Sequence, residues 1–391
     1  MIEPREIATD VRAFLKSHQE KMLRFLGNLV TMETPSKAIA PQYQILGFLK
    51  DELEAIGYMV LHVPGVHTGG YLYARPKNRD KNLPFQLLIG HCDTVWPTDT
   101  IKEMPLTFTG GKMRGPGIYD MKAGLTQLYF ALLTIKAMQL STKVTPIVLI
   151  NSDEEIGSKE SSNAIKRLAK IADRAYVLEP PLGLEGSLKT ARKGLGRFTI
   201  TVKGKAAHAG LDPSKGANAI VELSHQIQSL YAMNDLERGI TVNVGMIEGG
   251  ISPNVVAPKS KAVIDVRILN AVDGEYISGK IMGLKPYLED VELHISGGIG
   301  RPPMQRTVRN RKLWEMAKRQ GQYLGIELEE ATAGGGSDAN TTSLFTATLD
   351  GLGTPGDGAH ATFEYILHNR LIERTALLIL LLLAEPLNKK L

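Results

Sequence analysis

The sequence predicts an α/β protein in which a mainly parallel sheet, covered by helices, is interrupted by a smaller inserted ferredoxin-like α+β domain. The chain has 391 residues, and a single core stops growing at about 250 to 300 residues, so two domains are expected. Short apolar runs alternate with helical segments in the first half, and this pattern of predicted elements changes near residue 193.

Two amphipathic helices are predicted before the first buried strand. Segment 7–36 places Phe14, Met22 and Phe25 near one face, and segment 41–58 repeats leucines at steps of three and four. Gly57 follows as a plausible C-terminal cap. Both segments therefore have one face that can pack on a core.

Three continuous apolar runs predict buried strands: "PFQLLIG" at 84–90, "TPIVLIN" at 145–151 and "AYVL" at 175–178. Helical segments at 121–138 and 161–173 separate them. Apolar strands that alternate with helices are typical of a parallel sheet covered on both faces.

A strand, helix, strand, strand, helix, strand order follows from "GRFTITVKG" to "VELHISGG", which is the ferredoxin-like pattern. The chain then returns to helices and short strands, which should rejoin the first sheet. We therefore predict a discontinuous domain formed by 1–190 and 300–391, and an inserted domain at 191–299.

Composition argues against several classes of protein. Hydrophobic residues at 43% and charged residues at 22% fit an ordinary globular protein. The net charge is +5, and the basic segment 301–312 has no interleaved aromatics, so nucleic-acid binding is not expected. The apolar run 376–384 is too short to span a bilayer.

The expected compartment is the cytoplasm. The N-terminus mixes acids and bases where a signal peptide would carry an apolar core. The single cysteine, Cys92, excludes an internal disulfide.

Acidic residues and a histidine follow the predicted strands. His91 and Asp93 end the first run, Glu154 and Glu155 follow the second, and Glu179 follows the third. In a parallel sheet the C-terminal strand ends share one edge, where open α/β folds bind their ligands. We therefore expect these side chains to meet in one crevice.

Two more residues are candidates for the same crevice: Asp120, just before a helix, and His360, in a glycine-rich loop. So many close carboxylates could not all stay ionised without a bound cation. Histidines mixed with carboxylates suit zinc or a similar divalent metal better than magnesium or calcium. Taken singly, each acid has an ordinary alternative, such as helix capping for Asp120.

Seven motifs occur in the order seen in the M20 family of metallopeptidases. The chain resembles most closely the glutamate carboxypeptidase (carboxypeptidase G2-like) branch of that family. The similarity runs from the first helix to the last and covers both domains, and the motifs are "GHCDTV", "GPGIYDMKAG", "NSDEEIGS", "VLEP", "GKAAHAG", "GGGSDA" and "GAHATFE".

The resemblance implies a zinc-hydrolase catalytic domain with two zinc ions per subunit, for which cobalt or manganese could substitute. Asp120 would bridge the metals, with His91 and Glu179 completing one site and Glu155 and His360 the other. Asp93 would accept the remaining N–H of His91 and fix its tautomer.

The resemblance further implies amide hydrolysis, in which Glu154 is the general base. The inserted domain would be a lid and dimerisation domain. His208 would reach across the interface of a homodimer to the oxyanion in the partner's active site.

Four residues are candidates for substrate binding. Asn254 and Arg267 match family positions for the carbonyl or free carboxylate of the substrate, and Arg301 is a further carboxylate candidate. A surface salt bridge is the alternative for Arg267. Gly335, in the loop 333–339, would line the substrate pocket, with a plain flexible turn as the alternative.

Three activities remain open from the sequence. The first is a carboxypeptidase that releases C-terminal glutamate or a similar residue. The second is an N-acyl-amino-acid deacylase or a dipeptidase with the same chemistry, and the third is a metal-dependent binding protein without catalysis. The expected substrates are therefore small peptides or N-acyl amino acids.

Overall fold

The structure is a computed structural model that describes residues 4–387. These residues form two compact units. The first unit comprises 4–190, 306–333 and 337–387, and the second unit comprises 191–305 and 334–336. The units are described separately below.

The helices are numbered along the chain. They are α1 Pro4–Ser17, α2 Gln19–Thr31, α3 Ile39–Ala55, α4 Thr100–Glu103, α5 Ala123–Ala137, α6 Ser162–Ala169, α7 Ala219–Tyr231, α8 Ala271–Met282, α9 Val308–Tyr323, α10 Asp338–Thr342 and α11 Leu371–Leu383.

The strands are numbered in the same way. They are β1 Tyr58–Val63, β2 Tyr71–Pro76, β3 Phe85–His91, β4 Thr107–Thr109, β5 Lys112–Arg114, β6 Thr145–Asn151, β7 Arg174–Val177, β8 Leu188–Arg192, β9 Gly194–Lys203, β10 Thr241–Gly249, β11 Lys259–Ile268, β12 Glu292–Arg301, β13 Glu330–Ala333, β14 Ala347–Leu349, β15 Gly356–Asp357 and β16 Tyr365–Leu367.

The main sheet of the first unit has the strand order β1-β2-β6-β3-β7-β14. Strands β6, β3, β7 and β14 are parallel to one another, whereas β1 and β2 form an antiparallel hairpin at one edge. Every residue of β3 and β6 is buried, because helices cover both faces. The predicted mainly parallel sheet is therefore confirmed.

Helices α5 and α11 form much of the core beside this sheet. Both are buried along nearly their whole length, and they pack on each other. The apolar run 376–384 thus belongs to a core helix. In the described part of the chain, no helix combines the length and hydropathy needed to cross a bilayer.

The second unit contains a four-stranded antiparallel sheet in the order β10-β11-β9-β12, with α7 and α8 packed against it. Its core is a cluster that includes Phe198, Ile200, Ile264 and Ile277. The element order β9-α7-β10-β11-α8-β12 is the one predicted from the sequence. The ferredoxin-like domain is therefore confirmed.

Two features were not predicted from the sequence. The helical stretch in 7–36 is split at His18, whose backbone leaves the helical region and whose ring stacks on Phe14. A small sheet, β15-β16-β5-β4, lies in the first unit. Its strands have only two or three residues, which is too few to produce a recognisable hydrophobic period.

Candidate metal centre

The C-terminal ends of β3, β6 and β7 bring most of the predicted metal ligands together in the first unit. His91 is the last residue of β3 and is 2% exposed. Its Nδ1 lies 3.0 Å from the backbone oxygen of Asp93 and 3.4 Å from Asp93 Oδ1. The backbone oxygen is thus the nearer partner, and a proton on Nδ1 leaves Nε2 as a metal donor.

Asp120 lies in an irregular turn, Ile118–Lys122, that precedes α5, and its peptide bond to Met121 is cis. The turn sits close to the sheet because α5 starts against the end of β7. A Cβ on Gly124 would lie 2.1 Å from the backbone oxygen of Leu178, so only glycine fits there. This close approach brings Asp120 beside His91.

Glu154 and Glu155 begin a short helical turn, Glu154–Ile156, directly after β6. The carboxylate of Asp93 accepts hydrogen bonds from both of their backbone amides. The Glu155 side chain extends towards His360, which lies in the loop between β15 and β16. His360 has a φ of 61°, an uncommon conformation for a non-glycine residue and one that clusters at functional sites.

The donor atoms form two groups that share one residue. The His91 cluster contains His91, Asp120 and Glu179, and the His360 cluster contains Asp120, Glu155 and His360. Within each cluster the donor atoms lie within 4.8 Å of one another. These are the five residues that the sequence predicted as ligands.

The two oxygens of Asp120 face different clusters. Oδ1 lies 3.2 Å from His91 Nε2, and Oδ2 lies 3.6 Å from His360 Nε2. Glu179 Oε1 lies 3.5 Å from His91 Nε2, and Glu155 Oε2 lies 3.1 Å from His360 Nε2. This division is the geometry expected of a carboxylate that bridges two metal ions.

The side chains perturb one another's protonation in the metal-free protein. Burial lowers the pKa of His91, but Asp120, Asp93 and Glu179 outweigh it and hold that pKa well above its ordinary value. The hydrogen bond to Glu155 raises the pKa of His360 to about 9. Burial raises the pKa of Glu155.

The donor set fits a pair of divalent cations. Among residues 4–387, Glu155 Oε1 is buried and has no hydrogen-bond partner, which is costly for a carboxylate oxygen unless a cation satisfies it. Two imidazoles and three carboxylates supply the nitrogen and oxygen donors that zinc accepts. Cys92, between His91 and Asp93, is fully buried and belongs to neither cluster.

Comparison with known proteins finds relatives that are named as peptidases. Residues 190–284 match the M20-type model described as a peptidase dimerisation domain. The chain is 29% identical over 359 residues to carboxypeptidase G2 from Pseudomonas sp. (strain RS-16), covering 89% of this chain and 85% of the relative. In residues 190–284 the chain therefore resembles M20-type proteins, and over most of its length it resembles carboxypeptidase G2.

Other relatives of this chain carry different names. It is 26% identical to the acetylornithine deacetylase of Myxococcus xanthus, over 87% of this chain and 91% of that protein. Its fold also matches an M20 family metallo-carboxypeptidase from Sulfolobus solfataricus with a TM-score of 0.71 at 18% identity, covering 92% and 99% of the two chains.

One buried acid of the first unit has no role predicted from the sequence. Glu364 lies just before β16, is 0% exposed, and accepts four N–H donors from the loops that carry Asp120 and Trp96. Burial raises its pKa to about 7, against the effect of those donors. The sequence feature that could have identified Glu364 is an acid inside the otherwise apolar stretch "FEYIL".

The second unit holds the remaining candidates. His208 is exposed, and its neighbour Ala209 donates its backbone N–H to the Asn254 carbonyl at 3.0 Å. Arg267 forms a two-point ion pair with Asp265 and also donates to the Gly334 carbonyl.

The glycine loop 334–336 lies beside two further arginines of the second unit. Arg192 donates to the carbonyls of Gly335 and Gly336 at 3.1 and 3.2 Å. A Cβ on Gly336 would lie 3.0 Å from the Arg301 side chain, so the two are in close contact. Arg267, Arg301 and Gly335 are thereby gathered at one loop.

Proposed function

We propose that this protein is a dizinc carboxypeptidase that hydrolyses the amide bond to a C-terminal amino acid, glutamate or a similar residue. The observation that carries the proposal is the division of the Asp120 oxygens between two ligand clusters. The named activity of the Pseudomonas relative supports the choice of reaction.

Five residues would hold the metals. His91 and Glu179 would bind one ion, Glu155 and His360 the other, and Asp120 both. When bound, the two cations would supply Lewis-acid chemistry that polarises an amide carbonyl and acidifies water. The donor set favours zinc, and cobalt or manganese can share it.

Glu154 would act as the general base. Its neighbour Glu155 belongs to the His360 cluster, and the hydrogen bonds from both backbone amides to Asp93 fix the orientation of the pair. The Glu154 carboxylate would take a proton from the attacking water and return it to the nitrogen of the leaving amine as the C–N bond breaks.

His208 has the tautomer needed to stabilise an oxyanion. The backbone amides of Gly210 and Leu211 both donate to its Nδ1 at 3.1 Å. In the neutral ring the proton therefore lies on Nε2, which is an N–H donor. We propose that this N–H acts in the active site of the partner subunit.

The homodimer would form through the second unit. Strand β10 is an edge strand, and its residues Met246 and Ile247 are 61% and 65% exposed. Ile220 of α7 lies beside the end of β10 and is also exposed. Exposed apolar edge strands are normally covered by another chain, and the family match to this segment describes dimerisation.

The substrate carboxylate would be bound by arginine. Arg301 and Arg267 lie at the glycine loop 334–336, and Asn254 supplies an amide near His208. Arg267 must exchange its ion pair with Asp265 for the substrate. Gly335 would present backbone at this pocket.

The test is identification of products by mass spectrometry after the zinc-loaded protein meets a mixed library of peptides and N-acyl amino acids. The library includes folate-like conjugates of glutamate. Loss of one C-terminal residue supports the carboxypeptidase. Metal-loaded protein that releases no product from the library would contradict the proposal.

The alternative is an N-acyl-amino-acid deacylase or a dipeptidase. The named activity of the Myxococcus relative favours it, and the same ligand set serves any of these amides. Cleavage confined to N-acyl amino acids, or to dipeptides among peptides of increasing length, would identify it.

A further inference from the structure

We infer that Glu364 is a positioning residue for the metal pair: its carboxylate ties three loops together and so fixes the place of Asp120 between the two clusters. This inference rests on the proposed dizinc site. It concerns a residue that belongs to neither ligand cluster.

Each oxygen of Glu364 accepts two hydrogen bonds. Oε1 accepts from the backbone amides of Tyr119 and Asp120 at 2.8 and 3.1 Å. Oε2 accepts from the Gly117 amide and from Trp96 Nε1, both at 2.9 Å. The four lone-pair positions of the carboxylate are therefore all used.

The donors hold the turn on both sides of the bridging residue. Gly117, Tyr119 and Asp120 belong to one short segment, so a single carboxylate fixes three of its peptide units. Hydrogen bonds to an ionised acceptor are shorter and roughly twice as strong as neutral ones. With its own amide fixed, Asp120 can direct one oxygen to each cluster.

The same carboxylate reaches the other ligand loops. Glu364 lies in the tight loop that carries His360, which is closed by backbone hydrogen bonds from Ala361 to Gly358 and from Glu364 to Ala361. Trp96 follows the segment that contains His91 and Asp93. Glu364 therefore connects segments of the first unit that are up to about 270 residues apart in sequence.

The rival explanation is that Glu364 only stabilises the fold. A matched control exists in the second unit, where Glu222 is also 0% exposed and accepts from the amides of Tyr287 and Leu288 and from Gln226. Glu222 has no metal ligand among these partners. A change at Glu222 should thus reproduce the cost in stability without the effect on metal.

The experiment compares the full-length wild type with E364Q and E222Q. The glutamine keeps the shape of the side chain but turns an N–H₂ group towards two N–H donors. Metal stoichiometry and affinity are measured by titrating zinc in competition with a chelator. The absorption spectrum of the cobalt-loaded protein reports ligand geometry, and the melting temperature of the metal-free protein reports stability.

We expect the wild type to bind two ions and E364Q to bind them about 10 to 100 times more weakly, with an altered cobalt spectrum. E222Q should lower the melting temperature yet keep the wild-type affinity and spectrum. Wild-type affinity and spectrum in E364Q would overturn the inference and leave the proposed function intact. A wild type that binds no metal pair would contradict the proposed function, and the inference with it.

If E364Q does not fold, a second variant tests the inference. Trp96→Phe removes one of the four donors and leaves the three backbone donors in place. We expect metal affinity to fall by about 3- to 10-fold, which is less than the loss expected for E364Q. Unchanged affinity and an unchanged cobalt spectrum in this variant would overturn the inference.

Discussion

The carboxylate of Asp93 accepts a hydrogen bond from the backbone amide of Glu154 at 3.2 Å, and its other oxygen accepts one from Glu155 at the same distance. Ser36 adds a third donor to this carboxylate. The Asp93 side chain therefore holds the turn that carries the proposed base and a proposed ligand, while its backbone oxygen is the nearer partner of His91.

Asp93→Asn should damage catalysis without removing a metal ligand. The asparagine can keep only one of the two acceptor oxygens, so either the Glu154 or the Glu155 amide faces an N–H₂ group. We expect kcat to fall about 10- to 100-fold and zinc to bind more weakly. Steady-state kinetics and zinc titration measure the two effects.

The control for Asp93→Asn is Asp350→Asn, because Asp350 is also fully buried in the first unit and accepts from Ser337 and Gly351. This control should lower the melting temperature and leave kcat and zinc affinity near the wild-type values. Equal kinetic losses in both variants would show that Asp93 acts only through stability.

Glu154→Gln should separate catalysis from metal binding. The amide cannot accept the proton of water, so kcat should fall by about 10² to 10⁴, while two zinc ions still bind. Glu160→Gln is the control, since Glu160 lies nearby and binds only the backbone and hydroxyl of the 66–68 loop among the partners described. Turnover at the wild-type rate in Glu154→Gln would refute the proposed mechanism.

Zinc binding should release protons at neutral pH. The pKa of His360 is about 9 in the metal-free protein because Glu155 stabilises its charged form, and a ligand imidazole must be neutral. Affinity should therefore rise with pH up to about 9 and then level off. Calorimetric titration in buffers of different ionisation enthalpy measures the proton count.

His360→Gln tests the source of the released proton. At pH 7.5 this variant should release about one proton fewer than the wild type on binding zinc. His294→Gln, at an exposed histidine of the second unit, should release the wild-type number. An affinity that does not change between pH 7 and 9 would contradict the prediction.

Hybrid dimers test whether His208 acts in the partner's active site. His208→Ala and Glu154→Gln should each be nearly inactive alone. When the two are co-expressed, a hybrid dimer has one site with both groups intact, so about a quarter of the wild-type activity should return. Co-expression of Glu154→Gln with the double variant should restore none. No recovery in the first mixture would place His208 in its own subunit's site, and wild-type activity of His208→Ala alone would place it outside catalysis.

The sequence predicted the sheet and the ligand edge because both follow from local rules. Continuous apolar runs identified β3, β6 and β7, and parallel strands necessarily end at a common edge, which places His91 near Glu155 and Glu179. Assigning Asp120 and His360 to particular metals needed the family resemblance, since neither residue follows a predicted strand of that edge.

The sequence placed Asp93 beside His91 through the family resemblance, but it did not predict the backbone contacts that hold the other ligands in place. Glu364 and Asp93 act through backbone amides of segments far away in the chain, and a backbone amide has no sequence signature. The tautomer of His208 likewise depends on Gly210 and Leu211, whose amides point to the ring only in the folded loop. A surface salt bridge is the sequence-based alternative for Arg267, but the sequence does not identify Asp265 as its partner.

The packing of α5 on α11 has a consequence for how the protein is made. The second unit is nearly continuous in sequence, whereas the first needs both α5 and α11, which are separated by about 230 residues, or tens of seconds of synthesis at the ribosome. His360 leaves the ribosome long after Asp120 and Glu155. The inserted unit can thus fold on the nascent chain before all residues of the proposed metal centre have been synthesised, and loading of a metal pair would follow the folding of that unit.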